Sequence, residues 1–402
     1  MKGLSAWIVF GLCAAACLYW IGSGVRDDLH ERAVFKGVAL EREELAREAA
    51  ENPGGEVPVG LAGDWARHGR VLAGAELAAD ELNGSGGLLG RKVRLVPKDD
   101  HGTVDQALAV AQDFCNEPAI PFVLGHTDPR INRFVAQNYE FYGVLLFSPC
   151  ATLGGDVRPD LQFTEALSAD QLGEALLDLA GERGWGRIGL VYTKSPHHQR
   201  QATRFESLAG ARGVAVPLSF SHTRTDQSLT EEMRRWKREL DLDAMILSVD
   251  EDEAPAIIRT ARAEGIGFPV VCTETLDTSG PGALSPQEPA ARGVWVLAPY
   301  TRRDPARAAQ ADPRLEDARF AQGYEALMLL AQAAKDAATL EPREVARALA
   351  DLQADGFPAG TVSFTRDGDA VKLEPRFREL APGAPLLPQA PPAPVAPSPG
   401  AE

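Results

Sequence analysis

The stretch from Ala73 to Asp100 sets an apolar-striped helix first, then a glycine-rich break, then a strand, and ends on paired aspartates. That order is restrictive. A dinucleotide fingerprint needs its glycines to follow a strand and open a helix. Here Gly84, Gly86, Gly87 and Gly90 close a helix and lead into Lys92–Val96. They read as left-handed cap and turn positions, not as a phosphate cradle.

The same alternation runs on. Candidate strands are Val57–Leu61, Lys92–Val96, Phe122–Leu124, Val144–Phe147, Arg187–Tyr192, Val214–Ser219, Ala244–Val249 and Pro269–Cys272. Between them fall helical patterns at Val71–Asn83, Val104–Asn116, Gln171–Arg183, Gln199–Arg212, Ser228–Leu240 and Glu253–Glu264. Apolar strands joined by long crossovers predict parallel sheets covered on both faces, an α/β chain. A weak turn of the pattern near Phe163–Ala169 suggests passage into a second lobe. Gly293–Leu297 reads as a return crossing, followed by a long helix over Arg319–Ala337 and an extended piece, Gly360–Phe364, before the Asp367-Gly368 turn. The expected division is residues 57–164 and 293–360 for one lobe, 165–292 for the other, and 361–380 for a final crossing and the last strands. A chain of 402 residues is long enough for two such cores. Three crossings make a hinged pair of lobes, with a cleft at the strand carboxyl ends.

The ends are different in kind. Leu4–Gly22 carries no charge over 19 positions, with Trp7 near one end and Tyr19 and Trp20 near the other. Residues 1–25 are therefore expected to be a signal anchor or transmembrane helix, with the bulk of the chain outside the cytoplasm. Cleavage at Ala14-x-Ala16 and a degenerate lipoprotein box ending at Cys17 are open alternatives. Residues 26–56 read as a charged helical stalk and linker, and 381–402 as a disordered Pro/Ala-rich tail.

The formal charge of −16 argues against nucleic acid, whose phosphates it would repel. Cys115, Cys150 and Cys272 are odd in number and widely spread, which implies no disulfide framework. No Cys/His spacing suggests a zinc site, and His197 and His198, being adjacent on a helix start, are expected to face different directions. Arg234-Arg235-Trp236-Lys237-Arg238 shares its helix with Glu231, Glu232 and Glu239 and reads as a solvated face.

The unit Asn83-x-x-Gly86-Gly87-x-x-Gly90, then Lys98-Asp99-Asp100, Gly125-His126 and Ser148-Pro149-Cys150-Ala151-Thr152, resembles in order and spacing the periplasmic substrate-binding proteins of the leucine/isoleucine/valine (branched-chain amino acid) type. The resemblance covers roughly Val57 to Phe377 and implies the type I periplasmic-binding fold. It also implies a free amino acid held between the lobes, by hydroxyl and backbone donors on one and an acidic residue on the other. By that resemblance Thr152 and Cys150 lie at the ligand carboxylate and Glu274 at its ammonium.

The chain departs from the family at Thr127-Asp128-Pro129-Arg130, at Ser195-Pro196-His197-His198 and at Asp250, where serines and two aromatics are common. These departures argue against an aromatic cage for an aliphatic side chain. Asp128-Pro129 reads as a helix N-cap with proline at the first helical position, and Arg130 could extend from that turn to a carboxylate. Most of the run Asp250–Glu253 is expected to complement a helix dipole. Should Asp250 and Glu274 both face inward, a cationic or polyamine-like ligand would be favoured. Arg130, Asp250 and His197 at the cleft rim complete the expected ligand set.

The sequence thus predicts a membrane-tethered extracytoplasmic solute-binding protein for a small polar solute, with an ABC-transporter permease as partner and no cofactor. A membrane-anchored sensor or adaptor that uses the same fold to bind an envelope protein is the alternative. An enzyme is disfavoured, because no G-x-S-x-G, H-E-x-x-H or Walker-type loop occurs.

Overall fold

In the computed structural model of the chain, the described residues are 35–151, 160–223, 229–274, 276, 282–298, 312–357, 360–364, 370–372 and 376–380. The expected membrane anchor and the Pro/Ala-rich tail lie outside them. Among the described residues no helix is long and apolar enough to cross a membrane.

Five parallel strands form the first sheet: β1 (Glu56–Gly63), β2 (Lys92–Asp99), β3 (Phe122–Leu124), β4 (Leu145–Ser148) and β5 (Gln162–Thr164), in the order β2-β1-β3-β4-β5. The second contains β6 (Arg187–Thr193), β7 (Ala215–His222), β8 (Ala244–Ser248), β9 (Val270–Cys272) and β10 (Val294–Ala298), all parallel. A strand from near the chain end, β14 (Arg376–Glu379), closes its edge antiparallel to β10, giving β14-β10-β9-β8-β6-β7. β11 (Gln353–Phe357), β12 (Gly360–Phe364) and β13 (Ala370–Lys372) make a small antiparallel sheet. It packs on the first lobe, where the Phe364 ring meets Phe147 and Phe163 edge-on.

Each long sheet is apolar on both faces because helices cover both, as the continuous runs Phe122–Leu124 and Ala244–Ser248 required. Strand order reverses between β1 and β3 in one sheet and between β6 and β8 in the other. The loops at these switch points face each other. The Gly84–Gly90 segment ends the helix Trp65–Gly84 one residue later than a glycine cap there would, with Ser85 as C-cap. Gly86 and Gly87 then take positive φ.

Three differences from the sequence reading have plain causes. Gly293–Leu297 is not the return crossing: β10 pairs with β9, and the chain comes back to the first lobe only before the helix Ala318–Ala337. A lone apolar strand looks the same in either sheet. The short edge strand β5 sits within the stretch read as a passage. Finally, the charged segment is no free stalk. Residues 35–51 are helical and packed on the first lobe, where Phe35 meets the Phe141 and Tyr142 rings and Ala46 joins the core.

Arg42 explains that packing. Its side chain is fully buried, and its guanidinium donates to the carbonyls of Cys115 (2.8 Å), Glu117 (3.1 Å), Ile120 (2.9 Å) and Tyr142. Cys115 and Tyr142 end the helices Val104–Cys115 and Pro129–Phe141, so one cation satisfies orphan carbonyls at two helix carboxyl ends. Burial lowers its pKa to about 10, which leaves it charged at neutral pH. Arg42→Met keeps the bulk and removes every donor. It should cost about 3 kcal/mol in urea denaturation of the full chain. A change under about 0.5 kcal/mol would show that the helix is docked by apolar contact alone.

The helices Trp65–Gly84 and Ala318–Ala337 cross at a pair of glycines. A Cβ on Gly74 would lie 1.9 Å from the Phe320 carbonyl oxygen, and one on Gly323 would lie 1.9 Å from that of Val71. No side chain can give way there, since backbone is what it meets. Gly323→Ala should therefore destabilise by about 2–3 kcal/mol, and a melting temperature equal to wild type would refute the close approach.

Candidate functional site

Every loop at the facing switch points contributes to one cleft. From the first lobe come Arg67 and His68 (after β1), Thr127, Asp128 and Arg130 (after β3), Cys150 (after β4), and Arg319 from the helix that returns. From the second come His197 and His198 after β6, Asp250 and Glu251 after β8, and Glu274 after β9. Bases predominate on the first lobe and carboxylates on the second.

The deepest contact is at Glu251. Its carboxylate accepts from His68 Nε2 at 2.9 Å and from Arg319 at 2.5 Å, both across the cleft. Burial would push this acid up, but the Arg319 cation and the His68 hydrogen bond overcome it and hold Glu251 well below the usual carboxylate range. His68 Nδ1 in turn lies 2.8 Å from Thr127 Oγ1, which orients the ring. Further out, Arg130 reaches Asp250 at 3.4 Å, and Arg67 reaches Asp252 at 3.4 Å.

The acidic run stands at the start of the helix Ala254–Ala263, as expected, but its side chains are also engaged elsewhere. Glu253 is the N-cap of Ala254–Ala263 but makes no side-chain cap bond, and instead accepts from Thr193 Oγ1 at 2.8 Å. The other three acids turn to the opposite lobe. Asp128 does cap its helix, taking the Arg130 N–H at 2.8 Å, and it also grips the Arg130 guanidinium. Arg130 is thus tied at its base and presented to Asp250 at its tip.

Glu274 lies beside the start of the helix Pro196–Ala211, whose N-cap is Ser195. Its Oε1 accepts from His197 Nε2 at 2.9 Å and Gln201 Nε2 at 3.0 Å. The amide of Gln201 is fixed because its oxygen takes Ser248 Oγ at 2.6 Å and Thr273 Oγ1 at 3.1 Å, which leaves only N–H groups to face Glu274. Burial alone would raise the Glu274 pKa, but these bonds and the two imidazoles bring it to about 2. It is an ionised acceptor. His198 is buried, and the desolvation takes its pKa down to about 4. Its Nδ1 is 2.9 Å from Ser195 Oγ.

Cys150 donates weakly to the Thr127 carbonyl at 3.5 Å, and burial pushes its thiol up to about 11, so it is no thiolate. Thr152 lies outside the described residues. Thus Cys150, Arg130, Asp250, His197 and Glu274 converge on one cleft. The sequence reading missed His68, His198, Gln201, Glu251 and Arg319 as members of it. Four of them shared one signal, position at a helix start or next to a strand carboxyl end, whereas Gln201 lies in the second turn of its helix.

The cleft closes on two adjoining cavities of about 40 Å³ each, with Cys150, His197, Glu274 and Arg319 in the wall of both. The inner cavity is walled by Leu167, Leu172 and Leu297 on one side and by Glu165 and Gln322 on another, so a bound side chain would meet both apolar and polar surface.

The comparisons agree with this architecture. A family model described as periplasmic binding protein matches residues 60–373. The Leu/Ile/Val-binding protein homolog 1 of Brucella melitensis is 26% identical over 322 residues, which is 75% of this chain and 82% of the relative. The Leu/Ile/Val-binding protein of Escherichia coli K12 is 27% identical over 210 residues, 51% of this chain and 57% of its own. Among solved structures, an ABC transporter substrate-binding protein of Desulfitobacterium hafniense in complex with Leu superposes with a TM-score of 0.69 at 24% identity, covering 80% of this chain and 96% of its own. A solute-binding protein of an R. palustris ABC transporter, in complex with benzoate, gives 0.67 at 19% identity, covering 82% and 94%. These relatives are named as binding proteins, not as enzymes. With the family model spanning well over half of its length and the same two-lobed sheets in the solved relatives, the chain belongs to the periplasmic binding protein family.

Proposed function

We propose that the chain captures an amino acid or a related small polar solute by closing its two lobes, and delivers it to an ABC-transporter permease. The observation that carries this reading is Glu274, an ionised carboxylate held at the cleft wall of the second lobe. An ammonium group wants such an acceptor. The facing lobe supplies what a carboxylate wants: Arg130 at its rim and helix starts at Trp65 and Pro129. Cys150 follows β4 on that side, and in this reading it and Thr152, its near neighbour in sequence, take the ligand carboxylate. The relatives named for Leu/Ile/Val binding and the solved complex with Leu support an amino acid as the ligand class.

In this reading the uncharged Leu4–Gly22 segment tethers the binder at the membrane. Because the helix over 35–51 is docked on the first lobe, residues 23–34 alone remain as spacer. A short spacer holds the binder near its permease and raises the effective concentration.

A second reading, a sensor or adaptor for an envelope protein, draws support from the ion pairs that join the lobes directly across the cleft. Calorimetry separates the two: an adaptor gives no heat with any amino acid, while a carrier does. For the carrier, Thr152→Ala with Glu274→Gln should abolish the ligand-induced rise in melting temperature and leave the unliganded value near wild type. An unchanged ligand shift in the double variant would remove both residues from the site.

The Glu251 clamp yields a prediction about closure itself. In the open cleft Glu251 returns to water and to an ordinary value of about 4.3, whereas in the closed state it is held lower. Protonation therefore favours opening: the clamp acts fully above that ordinary value and weakens as pH falls below it. Glu251→Gln should shift the open-to-closed ratio by about 30-fold, or ~2 kcal/mol, toward open. Small-angle scattering would read this as a larger radius of gyration at pH 7, with less further expansion toward pH 3 than wild type shows. A variant as compact as wild type would mean that Glu251 does not hold the lobes together.

A further inference from the structure

His197 and His198 do not diverge. Side chains on a helix tilt toward its N-terminus, and in the first turn of Pro196–Ala211 that tilt carries both imidazoles past the helix end to Glu274. One ligand atom from each of His197, His198 and Glu274 falls within 4.8 Å of the other two. The two rings lie 4.9 Å apart at 66°, an arrangement that lets both edges address one point.

The spacings fit an ion. In a tetrahedral site with bonds of about 2.0–2.1 Å, ligand atoms stand about 3.3 Å apart. Glu274 Oε1 is 2.9 Å from His197 Nε2 and 4.0 Å from His198 Nε2, and the remaining pair lies within 4.8 Å, so side-chain shifts of about an ångström bring the three atoms to this edge. His198 Nε2 is also 3.9 Å from Asp250 Oδ1. At 3.9 and 4.0 Å it is too far from either acid for a hydrogen bond, yet it faces both. The orientation of that ring is set from behind, by Ser195 Oγ at 2.9 Å from Nδ1, the kind of outer partner that metal-ligating histidines have. Gln201 does the same for Glu274 through its doubly anchored amide. Two imidazoles and a carboxylate, with His198 and Glu274 each held by an outer partner, are a nitrogen-rich donor set suited to a zinc-class ion and unsuited to calcium or magnesium.

We propose that His197, His198 and Glu274 form a binding site for a divalent transition-metal ion of the zinc class within the cleft, with Asp250 beside it. Binding releases the proton shared between His197 and Glu274 to solvent and moves the two ligand atoms apart to the tetrahedral spacing. The ion also takes the acceptor that an ammonium group would use, so metal and ammonium compete for Glu274. The metal site goes beyond the amino-acid reading and stands without it.

The test titrates the full-length chain, stripped with EDTA, with ZnCl2 alone in a calorimeter and with Co2+ in a spectrophotometer. One ion should bind per chain, and Co2+ should give the visible ligand-field bands of a four- or five-coordinate nitrogen/oxygen site. His197→Ala and His198→Ala should each weaken binding by about 100-fold, and Ser195→Ala by about 10-fold, while His101→Ala, an exposed histidine outside the cleft, should bind as wild type. Absence of zinc heat, or affinities within threefold of wild type in both cleft variants, would overturn the site. If a variant fails to fold, the wild-type Co2+ spectrum decides: the pale bands of an octahedral ion would overturn it equally. An amino-acid panel titrated in EDTA is scored separately, so loss of the metal result with retained amino-acid heat rejects this site alone.

Discussion

Glu251 is the contact on which the closed arrangement turns. It is carried by the second lobe, yet its two partners, His68 and Arg319, belong to two different helices of the first. Those helices are themselves locked by the Gly74–Gly323 crossing, where backbone meets backbone. The clamp therefore acts against a rigid surface. An ion pair that is mostly removed from water needs such rigidity, because the cost of desolvation is recovered only when partner geometry is fixed. Closure of the cleft and packing of the first lobe are consequently one structural problem.

Much of the architecture was legible because parallel α/β chains write it plainly: apolar strands of a few residues, helices of one or more turns between them, and turn signals at the breaks. The Asn83–Gly90 unit and Ser148–Thr152 added family identity. What failed was assignment of strands to sheets. Nothing in Val294–Ala298 distinguishes a strand that extends the second sheet from one that leaves it, since pairing is decided by partners far away in sequence. The segment before Asn52 misled for a related reason. Its charge suggested a solvated stalk, but a single arginine, Arg42, turned inward to the carbonyl ends of two helices. A buried cation cannot be told from an exposed one in a charged run.

The site was legible as a location more than as a set of contacts. Position after strand carboxyl ends marked Arg130, Cys150, His197, Asp250 and Glu274, and all five line the cleft. Their partners were not legible, because most lie far off in sequence: Arg130 meets Asp250 of the other lobe, and Glu274 meets His197 and Gln201 across two intervening strands of its own. Glu251 was classed with its acidic neighbours, yet Asp250, Glu251 and Asp252 each meet a different base across the gap. Likewise His197 and His198 were separated by helical geometry in the abstract. The first turn is where that geometry is weakest, since no preceding turn stands in the way of the rings.

The distribution of charge sets what a solute must overcome to enter the cleft. Bases on the first lobe face acids on the second, which is the pattern that would orient an amino acid, carboxylate to one side and ammonium to the other. The same groups pair with one another across the cleft, Arg130 with Asp250 and Arg319 with Glu251. A solute must therefore displace pairings that already exist, and its affinity is the difference between the two sets of contacts, not their sum. Glu274 stands apart from these cross-cleft pairs. Its partners, His197 and Gln201, come from its own lobe, so it stays charged and oriented whether the lobes are open or shut.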